Sequence, residues 1–392
     1  MICFDEAMVR LVANVFPLDA EVISFADAGG RTLAQDVIAQ LPSPRLTMSA
    51  MDGYAVILNS VADGDILNVA GEARPGCPHH SPIAAGEAVR IFTGAPIPLG
   101  ADCVIMQEYA TRDGNIVRFT EGFGSSRNLR VKGSDFQAGD VLLPKGTRLN
   151  PKSLVAAAAA DVSEIVVHKR PRVAVLATGD ELAEPGLAKE RPYAVPDSIS
   201  HAIAAQIERA GADVIGRQCA GDDLPTLIDL AGTLLTRADL VVVTGGASVG
   251  DHDFAKPMFD RHGLKPIFEK VAIKPGKPVW LGKANDTLVL GLPGNPTSAM
   301  VTARLFLDPL LALLQGRRSG HLWHTMVLAG KLPAIGDRET FVRAAWEENG
   351  LQPLINQDSG VQGDLARAQW LIRCSAGQAS LPSSTVVSAL QF

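Results

Sequence analysis

The spacing of apolar positions changes along the chain, and each change marks a different kind of element. Apolar side chains at Met8, Leu11, Val12 and Val15 recur every three or four residues, which predicts a helix over 4–15. From 27 to 149 the texture is different. Short apolar runs at 61–69, 88–93, 103–107 and 116–120 alternate with Gly, Pro, Asp and Asn turns, so this stretch reads as β-rich. Asn150-Pro151 then has the form of a helix start, with Asn at the N-cap and Pro at the first helical position. An alanine-rich run to Ala160 and a short strand at 164–167 follow.

After Arg170-Pro171 the pattern becomes strand, helix, strand, helix. Strands are predicted at 173–176, 214–215, 240–243 and 288–290, and helices at 198–210, 224–237 and 297–314. The first of these helices places Ile199, Ile203 and Ile207 on one face. Strands that are apolar throughout, separated by helices, are those of a mostly parallel sheet covered on both sides. Beyond Gly316 short strands and turns return.

A length of 392 residues exceeds what one hydrophobic core usually serves, so two to four domains are expected. With 47% hydrophobic and 20% charged residues the composition is that of a folded protein, far from a disordered one. A net charge of −6 argues against a general nucleic-acid or membrane-surface binder. No basic start leads into an apolar run, and no stretch approaches the roughly 18 uninterrupted apolar residues of a membrane span. The expectation is therefore a soluble chain with neither nucleic acid nor membrane as partner. The five cysteines are scattered and form no CxxC pair, which fits reduced thiols and a cytoplasmic location rather than disulfides or a zinc ribbon.

Three loops follow apolar strands, the place where ligands sit in such sheets. Thr178-Gly179-Asp180-Glu181 sets two carboxylates directly after a strand, although alone it also reads as a capped turn. In the run from Thr244 to Asp253, Gly245, Gly246, Ser248 and Gly250 allow backbone N–H groups to close on an anion. Asp251 and Asp253 behind them offer oxygen ligands to a divalent cation. The run lacks the Gly-Lys-Ser/Thr ending of a Walker loop. In the third loop, Pro293, Gly294, Asn295 and Ser298 turn a strand sharply into a helix whose free N–H groups would face an anion. Upstream lie Lys270 and the stiff Lys274-Pro275-Gly276-Lys277-Pro278 segment, where backbone rigidity fixes where the lysines point. Together these groups imply a phosphorylated or nucleotide-linked substrate, a divalent metal, and transfer or hydrolysis at phosphorus. His79-His80 and His321-x-x-His324 have no ligand partner at metal-binding spacing and read as surface histidines.

The β-rich region adds segments that read first as turns: Ser49-Ala50-Met51-Asp52-Gly53-Tyr54-Ala55, Thr93-Gly94-Ala95-Pro96-Ile97-Pro98, and the stretch from Asn128 to Asp135. As an ordered set, SAMDGYA, FTGAPIP, NLRxxGxD, TGDEL, TGGxSVGxxD, KPGKP and LPGNPxSA resemble the molybdopterin molybdenumtransferase family, the MoeA proteins and the gephyrin E domain. The resemblance spans nearly the whole chain. It implies an α/β multidomain fold in which a central three-layer α/β domain (170–316) carries a mostly parallel sheet. It further implies a discontinuous α+β linking domain (1–40 and 136–169), a β-rich domain (41–135) and a C-terminal β-barrel-like domain (317–392).

The same resemblance implies a magnesium-dependent transferase of molybdenum cofactor biosynthesis. Such an enzyme inserts molybdate into adenylylated molybdopterin, releases AMP and works as a homodimer with its cleft between subunits. Carried over by motif, Asp52, Thr93 and Asp135 would form the N-terminal wall. Asp180, Glu181, Asp222 and Asp253 would form the acidic side, with Glu181, Asp251 and Asp253 nearest a metal. Thr178, Gly179 and the glycine loops would hold the nucleotide-linked pterin. Lys270, Lys274, Lys277 and Ser298 would bind molybdate or phosphate oxygens, and Arg343 and Ser359 would join from the C-terminal domain. The molybdopterin adenylyltransferase and recipient molybdoenzymes would be protein partners. One step departs from the family: Asp197-Ser198-Ile199 places an isoleucine where an amide is usual, and isoleucine cannot hydrogen-bond a ligand. A non-catalytic scaffold on the same fold and an adenylyltransferase-like enzyme remain the alternative readings.

Overall fold

A computed structural model describes residues 1–245 and 254–392; the part of the glycine-rich loop that holds Gly246, Ser248, Gly250, Asp251 and Asp253 lies outside them. At its centre is a six-stranded sheet ordered Asp213–Ala220, Arg172–Thr178, Leu240–Thr244, Thr287–Leu292, Trp280–Ala284, Lys265–Glu269. The first four strands are parallel; the last two are added antiparallel. Alternate residues of the parallel strands enter opposite cores, the arrangement a two-sided sheet requires. Val173, Val175, Leu240 and Val242 pack with Ile203 and Ile207, while Ala174, Leu176, Val241 and Val243 pack with Leu227, Ala231 and Leu234.

The predicted helix at 297–314 runs from Pro296 to Leu314 with a π-helical turn at Ala303–Leu307. It is long and apolar enough to cross a membrane, but 78% of that window is buried inside the protein, where it is the central helix of the larger core. The first helix, Phe4–Asn14, buries Phe4, Ala7 and Leu11. Val12, expected on the same stripe, is 46% exposed instead.

In the β-rich region six strands are ordered Cys103–Met106, Gly53–Val56, Glu87–Ile91, Ile66–Ala73, Ile116–Phe119, Ala110–Asp113. The run expected from 61 begins only at Ile66, because Asp65 caps a turn by accepting the Ala62 N–H at 2.8 Å. Ala20–Ser24 pairs antiparallel with Glu164–His168, and Val37–Ile38 with Val141–Leu143, so two distant stretches share one small core. The C-terminal sheet is ordered Ile273–Lys274, Glu339–Glu347, Trp370–Cys374, Val386–Gln391, Trp323–Val327. Its first strand comes from the α/β region. All five cysteines are free thiols.

His321 is not on the surface. It packs 5.6 Å from the rings of both Phe4 and Trp323, and burial lowers its pKa to about 4. The aromatic partner supplied by the first helix is more than three hundred residues away in sequence, which spacing around His321 cannot reveal.

Candidate active site

Three parallel strands end together, and the register puts Ala177 beside Thr244 and Thr244 beside Leu292. The loops that follow therefore open on one edge of the sheet. Gly245 has φ +93, and a methyl there would collide with the Thr178 carbonyl; Gly294 stands 3.4 Å (from the position a Cβ would take) from the Gly245 Cα. Glycine is needed at Gly245, where the positive φ and the Thr178 carbonyl leave no room for a side chain, while Gly294 meets it in ordinary van der Waals contact. Among the described residues the Thr178 hydroxyl is buried at this junction without a hydrogen-bond partner. A buried polar group left unpaired costs about 1–3 kcal/mol unless a ligand or water completes it.

Asp180 and Glu181 leave the same edge and are exposed. The Asp180 carboxylate accepts the Asp222 N–H at 3.0 Å, which ties the end of the Asp213–Ala220 strand to this loop. The Glu181 carboxylate lies over Gly179, where any side chain would displace it. Arg191 fixes the loop from behind, donating to the carbonyls of Asp180 at 2.6 Å and Leu182 at 3.0 Å.

The two antiparallel strands explain where the lysines go. Glu269 pairs with Trp280 and Trp280 with Gly291, so the connection from Lys270 to Val279 emerges on the edge where the parallel strands end. Lys270 has φ +57 and donates its backbone N–H to Val279 at 3.1 Å, while Lys277 accepts from Val271 at 3.0 Å. Lys274 is held from the other side by pairing with Thr340 of the C-terminal sheet. All three lysines are exposed, and among the described residues none carries a salt bridge. Surface charge that is rigidly backed and unpaired is available for an oxyanion.

At the Pro296 helix the picture differs in part from expectation. The Thr297 N–H, one of the free donors at that end, is taken by the Ser359 carbonyl at 3.3 Å, and the Asn295 amide donates to the Ser359 hydroxyl at 3.1 Å. Ser298 is 5% exposed. Arg343 does not reach the cleft. It is fully buried and donates to Thr297 Oγ1 at 3.2 Å and to the carbonyls of Asn356 and Asp358 at 3.0 and 3.1 Å. Its work is to clamp the Ser359 loop against the helix start. Asp197, just before the departing Ile199, is also buried and is engaged by the Ser200 hydroxyl and N–H and by Arg217. Ile199 itself packs into the larger core.

The N-terminal motifs meet at a second place. Asp52 accepts from both the N–H and hydroxyl of Thr93, at 2.7 and 2.8 Å, and these bonds, backbone first, lower its pKa. Gly94 donates to Ser49, Ser49 to Ala95, and Ala50 to Asn128, so SAMDGYA, FTGAPIP and the Asn128 segment form one hydrogen-bonded cluster. Asp135 is exposed, with its carboxylate 3.4 Å from the Ser43 hydroxyl.

A divalent cation fits the donor chemistry on the strand edge only in part from described residues: Glu181 is free and Asp180 has one oxygen committed, and no cluster of three ligating side chains occurs among them. Magnesium typically takes one or two carboxylates and completes its shell with water and substrate phosphate, so two carboxylates are compatible with it.

Comparison with known proteins covers both halves. The family described as the MoeA N-terminal region (domain I and II) matches residues 2–160, and that described as a probable molybdopterin binding domain matches 174–313. The molybdopterin molybdenumtransferase of Haemophilus influenzae is 37% identical over 321 residues, covering 81% of this chain and 79% of that protein. Its counterpart in Nostoc is 34% identical over 336 residues, covering 83% and 76%. The crystal structure of a molybdopterin biosynthesis MoeA protein from Pyrococcus horikoshii superposes with a TM-score of 0.82 at 27% identity, covering 100% of this chain and 99% of that one.

Proposed function

The chain belongs to the molybdopterin molybdenumtransferase family, and from that premise we propose that it inserts molybdate into adenylylated molybdopterin with release of AMP. The observation that carries the reading is the shared strand edge, where Thr178, Gly245, Gly294 and the lysine loop converge. The loops that leave this edge would turn backbone N–H groups toward a phosphate. The unpaired Thr178 hydroxyl supplies a further hydrogen-bonding group. Lys270, Lys274 and Lys277 provide positive charge for molybdate or phosphate oxygens without having to break existing ion pairs.

Magnesium would be held by Glu181 and Asp180, with Asp251 and Asp253 as further ligands, and would offset phosphate charge as the phosphorus–oxygen bond breaks. Asp222 acts through Asp180, whose carboxylate its N–H orients. Asp52, Thr93 and Asp135 form the opposing wall, contributed by the second subunit of a homodimer. The supplying and receiving partners are the adenylyltransferase that makes the substrate and the molybdoenzymes that accept the product, in the cytoplasm.

The direct test is AMP release by purified protein given magnesium, molybdate and adenylylated molybdopterin. Glu181→Ala is expected to lower the rate at least about 100-fold, the scale of losing one preorganised electrostatic contact. A parental rate in that variant removes Glu181 from the chemistry.

A further inference from the structure

On the side of the α/β core where the parallel strands begin, away from the loops that follow their ends, lies a cavity of about 540 Å³. The Ile199–Arg209 helix and the Asp308–Leu314 helix end beside it, and it is lined by five arginines: Arg148, Arg209, Arg304, Arg317 and Arg318. Asp308 is the single acidic side chain in its lining. That carboxylate is already used, accepting from Gln206 at 2.6 Å and Arg304 at 3.1 Å.

The other four guanidiniums have no carboxylate within salt-bridge distance among the described residues. Arg148 donates to the carbonyls of Gly30 and Arg209, and Arg317 to that of Ala210. The bonds to Arg209 and Ala210 satisfy carbonyls at the end of the Ile199–Arg209 helix, and the two helix ends beside the cavity together contribute roughly one negative charge. After Asp308, the helix ends and the carboxylate of Phe392, which also lines the cavity, are counted, roughly two positive charges remain uncompensated. Arg317 Nε is buried without a partner, and burial together with repulsion from Arg148 lowers the Arg317 pKa. Arg209 and Arg318 are exposed, with no hydrogen bond to hold them.

Like charges gathered in a concave site destabilise one another unless an anion joins them. Planar guanidiniums with several N–H donors match phosphate oxygens in particular. The volume exceeds what a bare phosphate would fill. We propose that this cavity binds a small phosphorylated anion, such as a phosphorylated metabolite or pyrophosphate, between Arg148, Arg209, Arg317 and Arg318. The site is separate from the catalytic cleft and does not depend on the reaction assigned to it.

The test is calorimetric titration of the full chain with inorganic pyrophosphate, which carries the phosphate chemistry without an adenine or pterin. The parent protein is expected to bind, more tightly than it binds orthophosphate, with an affinity that falls as salt is raised. Because Arg209 and Arg318 are exposed, Arg209→Glu combined with Arg318→Glu should leave the melting temperature unchanged while weakening pyrophosphate at least tenfold. Lys274→Ala combined with Lys277→Ala, which strips charge from the catalytic edge, should leave that binding intact. Unchanged affinity in the arginine variant, loss only in the lysine variant, or no binding at millimolar pyrophosphate would each overturn the proposal.

Discussion

Burial holds the His321 imidazole at a pKa of about 4, against 6.5 for a free side chain. The unfolded chain takes up its proton near pH 6.5 and the folded chain only near 4, so acid favours unfolding across that interval. This contribution to stability is whole above pH 6.5 and is lost as the pH falls toward 4; its full size is on the order of 3 kcal/mol. Between pH 7.5 and pH 5 the denaturant midpoint of the parent should therefore fall relative to that of His321→Leu, and an unchanged difference would refute the linkage. Asp52 offers a second residue-level test. Thr93→Val removes the hydroxyl bond but keeps the backbone one, so the Asp52 pKa rises toward its ordinary value. The acidic limb of the rate–pH profile for AMP release is expected to move to higher pH, and a superimposable profile would show that Asp52 ionisation does not limit the rate.

At the scale of elements, three of the parallel strands were legible because each is apolar on both faces and is followed by a loop rich in Gly, Asp or Asn. Asp213–Ala220 at the sheet edge carries Arg217 and Gln218, and only its start at 214–215 could be read. The antiparallel pair, Lys265–Glu269 and Trp280–Ala284, was not legible. Pro266, Gly282 and Lys283 interrupt its pattern, although Asn285-Asp286 between Ala284 and Thr287 was a usable hairpin signal, and Asn285 takes φ +49. Missing that pair hid why the lysines share an edge with Gly245. The lysines could be named from sequence but not placed. Arg343 shows the converse: the family resemblance put it in the site, yet full burial and three bonds to neighbouring oxygens make it a clamp. At the loop itself, Gly245→Ala must fit a methyl against the Thr178 carbonyl at a φ of +93. Substrate binding measured by fluorescence or calorimetry should weaken at least tenfold while melting shifts by only about 1–2 kcal/mol, the cost of one strained residue. Parental affinity would show that this junction lies outside the site.

For the whole molecule, the decisive question is which polypeptide supplies the Asp52 wall. If the cleft lies between subunits, Asp52→Ala and Glu181→Ala chains mixed and allowed to exchange form hybrid dimers with one intact site. Half of the dimers would then work at half capacity, so about a quarter of parental AMP release should return from two inactive preparations. No recovery, with exchange verified, would place both walls in one chain. Architecture at this scale followed from motif order more than from periodicity: nothing in the spacing around Ile273 shows that this strand joins Glu339 in another sheet.

The first helix has a consequence for how the protein is made. Phe4 sits against Phe306 and Phe341, Asp5 pairs with Arg373 across 368 positions, and Ile2 bridges to Val271. None of those partners has left the ribosome when this helix emerges. Its apolar stripe must stay uncovered through most of translation, within reach of chaperones, and closing it is the step that waits for the chain's final strands.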